Sequence, residues 1–200
     1  MLKWAWLTVF GLVAMWSGIG SKDTEIWWLE AGPAIIGMIV IALTYQSFRL
    51  TSLLYVLILL HMIVLFVGAH YTYAEVPLFD WIGQLSGQER NNYDKLGHLM
   101  QGLVPTLIAR EILMRKNIIQ SQAWLNFFAA TFALALSAFY ELVEWWVALV
   151  SEEAAEAFLG MQGYEWDTQS DMAYALLGAI LALVFFKRLH DRQLKEKLTP

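Results

Sequence analysis

Three apolar segments of the chain each carry a pair of side chains that can ligate a metal or exchange a proton. The pairs have the i,i+3 or i,i+4 spacing of one helix face, and they are Asp94 with His98, Glu141 with Glu144, and Asp167 with Asp171. With a rise of about 1.5 Å per residue, His98 and Asp171 are predicted to lie roughly 6 Å inside the ends of their helices, and Glu141 roughly 10–15 Å inside. Three helices therefore deliver carboxylates and an imidazole to a similar depth.

Such a set of side chains is suited to a divalent cation. Carboxylates within a few ångströms of each other cannot all stay ionised in a low dielectric, so a metal ion, bound protons or a Lys or Arg partner must compensate them. A mixed His/Asp/Glu set suits zinc or manganese, and a carboxylate-dominated set suits magnesium or calcium. The expected ligands of one Zn, Mn or Mg ion are Asp94, His98, Glu141, Glu144, Asp167 and Asp171. We expect His98, Glu141 and Asp171 to carry the chemistry as ligands or acid/base groups, since a bound metal with an open position can activate water.

Several of the ionisable residues also have simpler interpretations. Asp94 and Asp167 can each cap a helix N-terminus, where the helix dipole favours an anion. His61, alone in an apolar segment, is predicted to be a buried hydrogen-bonded histidine. Glu111 and Arg115 have the spacing of an ordinary ion pair within one helix. His98 and Glu141 lie past any capping turn, and these two residues therefore favour the interpretation as a site.

The segments that must position these residues are those of a membrane protein. Of the 200 residues, 58% are hydrophobic and only 16% are charged, which is unusual for a soluble domain. Apolar stretches near the roughly 20 residues needed to cross a bilayer lie at about 4–20, 32–48, 50–70, 94–114, 123–150 and 168–187. The chain is predicted to be all-α, a polytopic membrane helical bundle forming a single transmembrane domain over residues 1–200. Whether the second stretch spans fully is left open, because it reaches that length only by including Gly32 and Pro33.

The charges between these stretches alternate in sign, and the alternation predicts their orientation. One set of ends is basic and consists of Lys3, Arg49, Arg115, Lys116 and the tail from Lys187 to Lys197. The other set is mainly acidic and includes Asp23, Glu25, Glu75, Asp80, Glu152, Glu153 and Glu156. Because basic loops stay in the cytoplasm, both termini are predicted to be cytoplasmic. The chain is then a multi-pass protein of the bacterial inner membrane, with its polar cluster at the periplasmic face and a re-entrant or surface-lying loop over residues 71–92.

Small residues and a proline lie on the same segments as the cluster. Pro105 is predicted to bend its helix because it removes a backbone hydrogen bond. Gly102 and Gly178 belong to small faces of the fourth and sixth stretches. Such faces let helices approach closely in a membrane, and we interpret them as a close helix contact.

Three segments carry a resemblance to a known family. They are Asn92–His98, Tyr140–Trp145 and Gly163–Asp171, which read NYDKLGH, YELVEW and GYEWDTQSD. In these segments, and over most of its length, the chain resembles the YjdF-type family of bacterial inner-membrane proteins of unknown function. The resemblance implies a helical inner-membrane protein and does not imply a reaction.

A looser similarity links the chain to VanZ-like membrane proteins, some of which are associated with glycopeptide resistance. Their pattern runs Asp-Lys-x-x-His, then Glu-x-x-Gln, then Asp with Asn four and Gly seven residues later. The matching residues here are Asp94, Lys95, His98, Glu141, Asp171 and Gly178. The chain departs from the pattern with Glu144 in place of Gln, Ala175 in place of Asn, and no Arg before the last Asp.

These observations predict a small metal-dependent membrane enzyme with its site at the periplasmic end of helices three to six. The cluster lies at headgroup to upper acyl depth, so the expected substrate is amphipathic: a lipid, a polyprenyl-linked carrier or an envelope glycolipid. Two alternatives stay open, a proton- or cation-coupled transporter and a non-catalytic scaffold with a structural cation site. The chain has no cysteine, which excludes thiolate ligands and nucleophiles. Membrane lipids are expected partners, and nucleic acid is not, because no basic stripe interleaves with aromatic residues.

Overall fold

The computed structural model describes residues 2–87, 90–150 and 165–198, and their regular structure is helical throughout. The elements are α1 (Leu2–Gly18), α2 (Thr24–Thr44), α3 (Ser52–Tyr71), α4 (Pro77–Ser86), α5 (Tyr93–Arg115), α6 (Gln122–Val150), α7 (Asp167–Leu181), a π-helical turn (Ala182–Phe186) and α8 (Lys187–Leu198). The predicted all-α class is confirmed. The predicted outer-face residues Glu152, Glu153 and Glu156, and the start of the third family segment at Gly163, lie outside the described residues.

Within the described part of the chain, four helices are long and apolar enough to cross a membrane. They are Thr24–Thr44, Ser52–Tyr71, Gln122–Val150 and the continuous helix Asp167–Lys197. Helix α1 has 17 residues, and α5 carries charged side chains at both ends, which explains why neither belongs to this set. The chain is a membrane protein with several apolar helices, as its composition predicts.

Helix α2 differs from its predicted bounds, because it begins at Thr24 rather than near residue 32. The carboxylate of Asp23 accepts hydrogen bonds from the backbone N–H groups of Glu25 at 2.8 Å and Ile26 at 3.0 Å, which caps the helix. Pro33 lies inside the helix without ending it. Two acidic residues in the first turns lower the hydropathy of this end of the helix, so the prediction from hydropathy placed the start of the helix too late. The second predicted segment is therefore a helix of full membrane-spanning length.

Helix α5 forms the centre of the bundle and packs against α3, α6 and α7. Its contact with α7 is made through backbone, since a Cβ placed on Gly102 would overlap the carbonyl of Ala175. A Cβ placed on Gly178 would overlap the carbonyl of Leu99. The predicted close contact between the small faces is confirmed. Surrounded by protein, α5 can hold charged groups at a depth where lipid contact would be costly.

Side-chain hydrogen bonds attach helix α1 to α3, and helix α2 to α1. Ser17 Oγ donates to the Phe66 carbonyl at 2.6 Å, and the Trp27 indole donates to Ser17 Oγ at 2.8 Å. The Trp6 indole donates to the carbonyl of Tyr55 at 2.7 Å. Each bond joins elements that apolar packing alone would leave free to slide, and together they fix the register of α1 and α2 on α3.

The segment between α3 and α5 contains a short helix rather than only a loop. Helix α4 begins with Pro77 in its first turn and ends at Gly87, which has a left-handed φ of 69°. Its exposed apolar side chains are Leu78, Trp81, Ile82 and Leu85. Asn91 ties it to the start of α5, because its side-chain amide donates to the Val76 carbonyl at 3.0 Å and to Asp80 at 2.7 Å. The predicted loop therefore contains a short helix with exposed apolar side chains, a feature typical of interfacial helices.

Candidate metal centre

Three side chains converge where α5 and α7 begin. Asp94 and His98 lie on adjacent turns of α5, Asp171 lies on the first turns of α7, and one ligand atom of each is within 4.8 Å of the others. Among the described residues, this is the one group of three or more His, Asp or Glu side chains that meets such a criterion. His98 is only 3% exposed and Asp171 only 2%. The charged and metal-ligating groups therefore meet in the interior of the bundle and do not face lipid.

The imidazole of His98 is oriented by a neighbour and faces two carboxylates. Its Nδ1 lies 3.2 Å from Ser137 Oγ, and its Nε2 lies 3.6 Å from Asp94 Oδ1 and 3.5 Å from Glu141 Oε1. Both carboxylate distances exceed those of a normal hydrogen bond. The distance to Asp94 is close to the spacing of about 3.4 Å between two ligands of one tetrahedral zinc ion with bonds near 2.1 Å. When Nδ1 donates to Ser137, the lone pair of Nε2 is directed at these oxygens, an arrangement that a shared cation stabilises.

Glu141 is the fourth member of the cluster and comes from α6. Its side chain is almost fully buried, and its Oε1 has no hydrogen-bond partner among the described residues. Leaving a buried acceptor unpaired costs about 1–3 kcal/mol, and more for a charged group. A cation or a metal-bound water between Glu141 and His98 would satisfy this oxygen. The sequence-predicted residues His98, Glu141 and Asp171, with Asp94, are thus brought together by three different helices.

The two remaining predicted ligands lie at the edge of the cluster. Asp167, at the start of α7, forms an ion pair with Arg90, so its carboxylate is already compensated. Glu144 lies one turn of α6 beyond Glu141 and remains within electrostatic range of Asp94 and Asp171. We therefore place Asp94, His98, Glu141 and Asp171 at the centre, with Asp167 and Glu144 around it.

Sequence reasoning did not identify every polar residue near this centre. Ser137 contacts His98 and lies four residues before Glu141, so helical spacing alone could have indicated it. His61 of α3, predicted from the sequence to be a buried hydrogen-bonded histidine, also interacts electrostatically with His98. No spacing rule within one helix could have found this second relation, because the two residues belong to different helices.

A second buried network occupies the opposite end of α5. The predicted ion pair of Glu111 with Arg115 is present at 2.9 Å, and Glu111 also lies 3.1 Å from His190 Nε2. Thr51 donates its backbone N–H to Glu111 at 3.1 Å and its hydroxyl at 2.8 Å. The adjacent Arg110 is fully buried and pairs with α8. This network is rich in hydrogen bonds between helices, and it lies about 20 Å along α5 from His98, by the rise of 1.5 Å per residue.

Comparisons with known proteins cover nearly the whole chain. A family model described as "Predicted membrane protein (DUF2238)" matches residues 2–192. The chain is 48% identical over 184 residues to "Inner membrane protein YjdF" of Escherichia coli (strain K12), an alignment that covers 92% of this chain and 88% of that protein. No solved structure matches the chain.

Proposed function

The chain belongs to the DUF2238 family of predicted membrane proteins, and from that premise we propose that it is a metal-dependent inner-membrane enzyme acting on a lipid or lipid-linked envelope substrate. Its relationship to an inner-membrane protein of a bacterium agrees with the location and the family resemblance predicted from the sequence. One divalent cation would be held by Asp94, His98 and Asp171, with Glu141 beside it.

The observation that carries this proposal is the convergence of three ligand atoms within 4.8 Å in a buried position. Three protein ligands with a fourth position left for water are typical of catalytic zinc sites, whereas structural zinc sites are closed by four. An imidazole among the ligands favours zinc or manganese over magnesium. Ser137 would act as the outer partner that orients the His98 ring, as such partners do in metal sites.

The arrangement supports hydrolysis by an activated water. A divalent metal held by Asp94, His98 and Asp171 would supply Lewis-acid activation of water, and Glu141 Oε1 would accept the proton of the attacking water. The water oxygen would form a bond to phosphorus or to a carbonyl carbon of the substrate as the bond from that atom to the leaving oxygen breaks. The leaving alcohol would depart with a proton returned by Glu141. Glu141 suits this role because its Oε1 has no hydrogen-bond partner among the described residues.

The depth of the cluster supports an amphipathic substrate. We place six helices across the membrane (α1, α2, α3, α5, α6 and α7) with both termini in the cytoplasm, following the basic ends at Arg115 and in α8. The metal centre then lies a few turns inside the periplasmic surface, at headgroup to upper acyl depth. The headgroup of a lipid in the outer leaflet would lie at the same depth, and the exposed apolar side chains of α4 would rest in the interface above it.

The first test is elemental analysis by ICP-MS of detergent-purified wild-type protein beside His98→Ala and Asp171→Asn. We expect close to one equivalent of zinc or manganese in the wild type and its loss in both variants. His70→Ala is the matched control, since this histidine stacks on Trp16 at a ring distance of 4.4 Å and is not part of the cluster. A folded wild-type protein that takes up no metal when supplied with zinc or manganese would refute the proposal.

A positive result would then be followed by an activity screen. The metal-loaded protein would be incubated with phospholipids and polyprenyl phosphates in mixed micelles, and released phosphate or water-soluble headgroup would be measured. Glu141→Gln should retain the metal and lose turnover. Turnover that survives in Glu141→Gln would remove this residue from the proposed chemistry.

One observation favours a cation- or proton-coupled transporter as the second candidate. The inner network around Glu111 and His190 places ionisable groups at the cytoplasmic end of the same helices that carry the outer cluster. Against this, the buried residues of α5 between the two ends include Leu103, Val104 and Leu107, which form an apolar layer. Proton uptake into proteoliposomes that is lost in both His98→Ala and His190→Ala would favour transport over hydrolysis.

A further inference from the structure

An apolar groove lies between α5 and α6, toward the end of the bundle opposite the candidate metal centre. Its volume is about 450 Å³, within the range of roughly 300–1,000 Å³ that ligand pockets occupy. Its walls include Ile112 and Leu113 of α5, Phe128, Phe132 and Ala135 of α6, and Ile119 of the segment that joins the two helices. We call it the α5–α6 groove. None of these residues takes part in the candidate metal centre, so the proposed function does not account for the groove.

The walls of the α5–α6 groove suit a hydrocarbon chain. Thr131 brings the polar side chain among its lining residues in the described part of the chain, and this hydroxyl already donates to the carbonyl of Phe127 at 2.8 Å. A polar ligand would lose its hydrogen bonds to water inside the groove and gain none, which is unfavourable. The groove therefore disfavours sugars, nucleotides and ions, and it accepts an apolar chain.

The groove opens toward the outside of the bundle. Ile112 is 39% exposed, and Phe128 and Phe132 are each 47% exposed. Because α6 is long and apolar enough to cross a membrane, these exposed side chains face lipid. An unfilled groove would deprive its walls of dispersion contacts. A flexible acyl chain of the surrounding lipid can follow the groove and restore these contacts.

The length of the groove corresponds to one leaflet of the bilayer. Phe128 and Ala135 lie about 9 and 20 Å along α6 from its start at Gln122, at 1.5 Å per residue. The span between them, about 11 Å, fits within one leaflet of a hydrocarbon core about 30 Å thick. The groove therefore takes a chain from a single leaflet.

The mouth of the groove lies at headgroup level and carries a positive charge. Trp124 is 58% exposed, and its ring centroid lies 5.9 Å from that of Phe128. Tryptophan is enriched at the membrane–water interface, so Trp124 marks the level at which the groove meets the headgroups. Lys116 is exposed and follows Ile112 by four residues, which extends the same face of α5 to this level. A lipid whose acyl chain lies in the groove would therefore have its headgroup beside Lys116.

We propose that the α5–α6 groove binds one acyl chain of an anionic phospholipid from the cytoplasmic leaflet, with the headgroup phosphate at Lys116. The apolar walls select the chain, and the lysine selects a negative headgroup, as basic pockets between membrane helices on the cytoplasmic side do. The proposed orientation enters this inference only in assigning the leaflet. The candidate metal centre does not enter it, so each stands or falls by its own experiment.

The first test is photocrosslinking of the full-length wild-type protein in nanodiscs. The probe is phosphatidylglycerol with a diazirine in one acyl chain, and the labelled peptides are identified by mass spectrometry. We expect the label to concentrate in residues 109–113 and 128–135, and to be weaker there when phosphatidylcholine carries the same chain. Label spread evenly over the exposed faces of α1, α2 and α6 would overturn the proposal. This experiment needs no variant and so does not depend on how variants fold.

The second test narrows the groove and measures lipid retention by native mass spectrometry. The Ala135→Phe variant places a ring in the groove from an exposed position, and we expect it to lower retention of phosphatidylglycerol roughly tenfold, because the acyl chain would be overpacked. Ala42→Phe is the matched control, since Ala42 is also exposed and lies near the end of α2. Equal retention in the two variants would contradict binding in the groove. A dimer that is lost in Ala135→Phe, with no lipid retained, would assign the groove to a second copy of the chain and overturn the proposal.

The third test concerns the headgroup. The Lys116→Gln variant should lower the preference for phosphatidylglycerol over phosphatidylcholine about fivefold, the contribution of one basic residue near an anionic membrane surface. Lys3→Gln is the matched control, because both lysines are exposed and both lie over an aromatic ring, Lys3 at 5.1 Å from the Tyr45 centroid and Lys116 at 5.7 Å from that of Phe48. A wild-type protein without this preference, or a Lys116→Gln variant that keeps it, would overturn the assignment of an anionic lipid.

Discussion

Replacing Gly102 by alanine is expected to push α5 and α7 apart and to loosen the proposed metal centre that the two helices share. The added Cβ would overlap the backbone carbonyl of Ala175, and backbone cannot rotate away as a flexible side chain can. To reach an ordinary contact of about 3.5–4.0 Å, the helices must separate by more than an ångström at this point.

The size of the effect follows from two opposing contributions. Overpacking a tight contact costs about 1–3 kcal/mol, and a clash with rigid backbone belongs in the upper part of that range. Alanine recovers about 0.5–1 kcal/mol over glycine inside a helix. The net loss expected for Gly102→Ala is therefore roughly 1–2 kcal/mol in the free energy of unfolding.

The same displacement should also change the distance between the proposed metal ligands. His98 lies one turn before Gly102 on α5, whereas Asp171 lies on α7, so separating the helices moves one ligand away from the other. A set of functional side chains tolerates displacements of about 0.5 Å from its productive geometry. We therefore expect the dissociation constant for zinc or manganese to rise at least about tenfold, in the range seen for disturbed supporting residues of metal sites.

The assay compares Gly102→Ala with Gly11→Ala in detergent, by thermal unfolding and by metal titration. Gly11 is the matched control, because a Cβ added there meets no atom within 4 Å. Gly11→Ala should leave both stability and metal binding unchanged or slightly improved. Equal stability and equal metal affinity in the two variants would refute the reasoning that backbone contact between α5 and α7 sets the geometry of the site.

Three further predictions concern the ends of the bundle. The Ser137→Ala variant should fold normally but bind the metal about 10–100-fold more weakly, because His98 loses the partner that orients its ring. An unchanged dissociation constant in a metal titration would contradict this. Glu111→Ala should lower the free energy of unfolding by about 3–5 kcal/mol, because it removes the buried carboxylate that pairs with Arg115 and accepts hydrogen bonds from Thr51. A free energy of unfolding within about 0.5 kcal/mol of wild type, the effect of a surface substitution, would contradict it. The chain has no native cysteine, so single cysteines can report its orientation. The Gln84→Cys variant, on α4, should react with an impermeant maleimide in intact cells, whereas the Glu196→Cys variant should react only after the cells are permeabilised. The reverse pattern would contradict the proposed orientation.

Much of the architecture could be predicted from the sequence because it depends on local properties. Apolar length indicates a membrane helix, and i,i+3 or i,i+4 spacing places two residues on one helix face. These rules found α3, α5 and α6 nearly at their observed bounds and identified Asp94 with His98 as a pair. They failed at the start of α2, where acidic residues lowered the hydropathy of a segment that is nevertheless helical from Thr24 onward.

By itself, the sequence determined the all-α class, the membrane setting and the side chains proposed as metal ligands, since each depends on composition or on spacing within one helix. The tertiary structure alone decided which of them meet. His190 lies beside Glu111 across 79 positions of sequence, and His98 meets Glu141 from another helix. Such relations depend on how each helix is rotated and how deeply it packs against its neighbours. At the candidate metal centre, α5 and α7 meet through the backbone contacts of Gly102 and Gly178, which no spacing rule within a single helix contains.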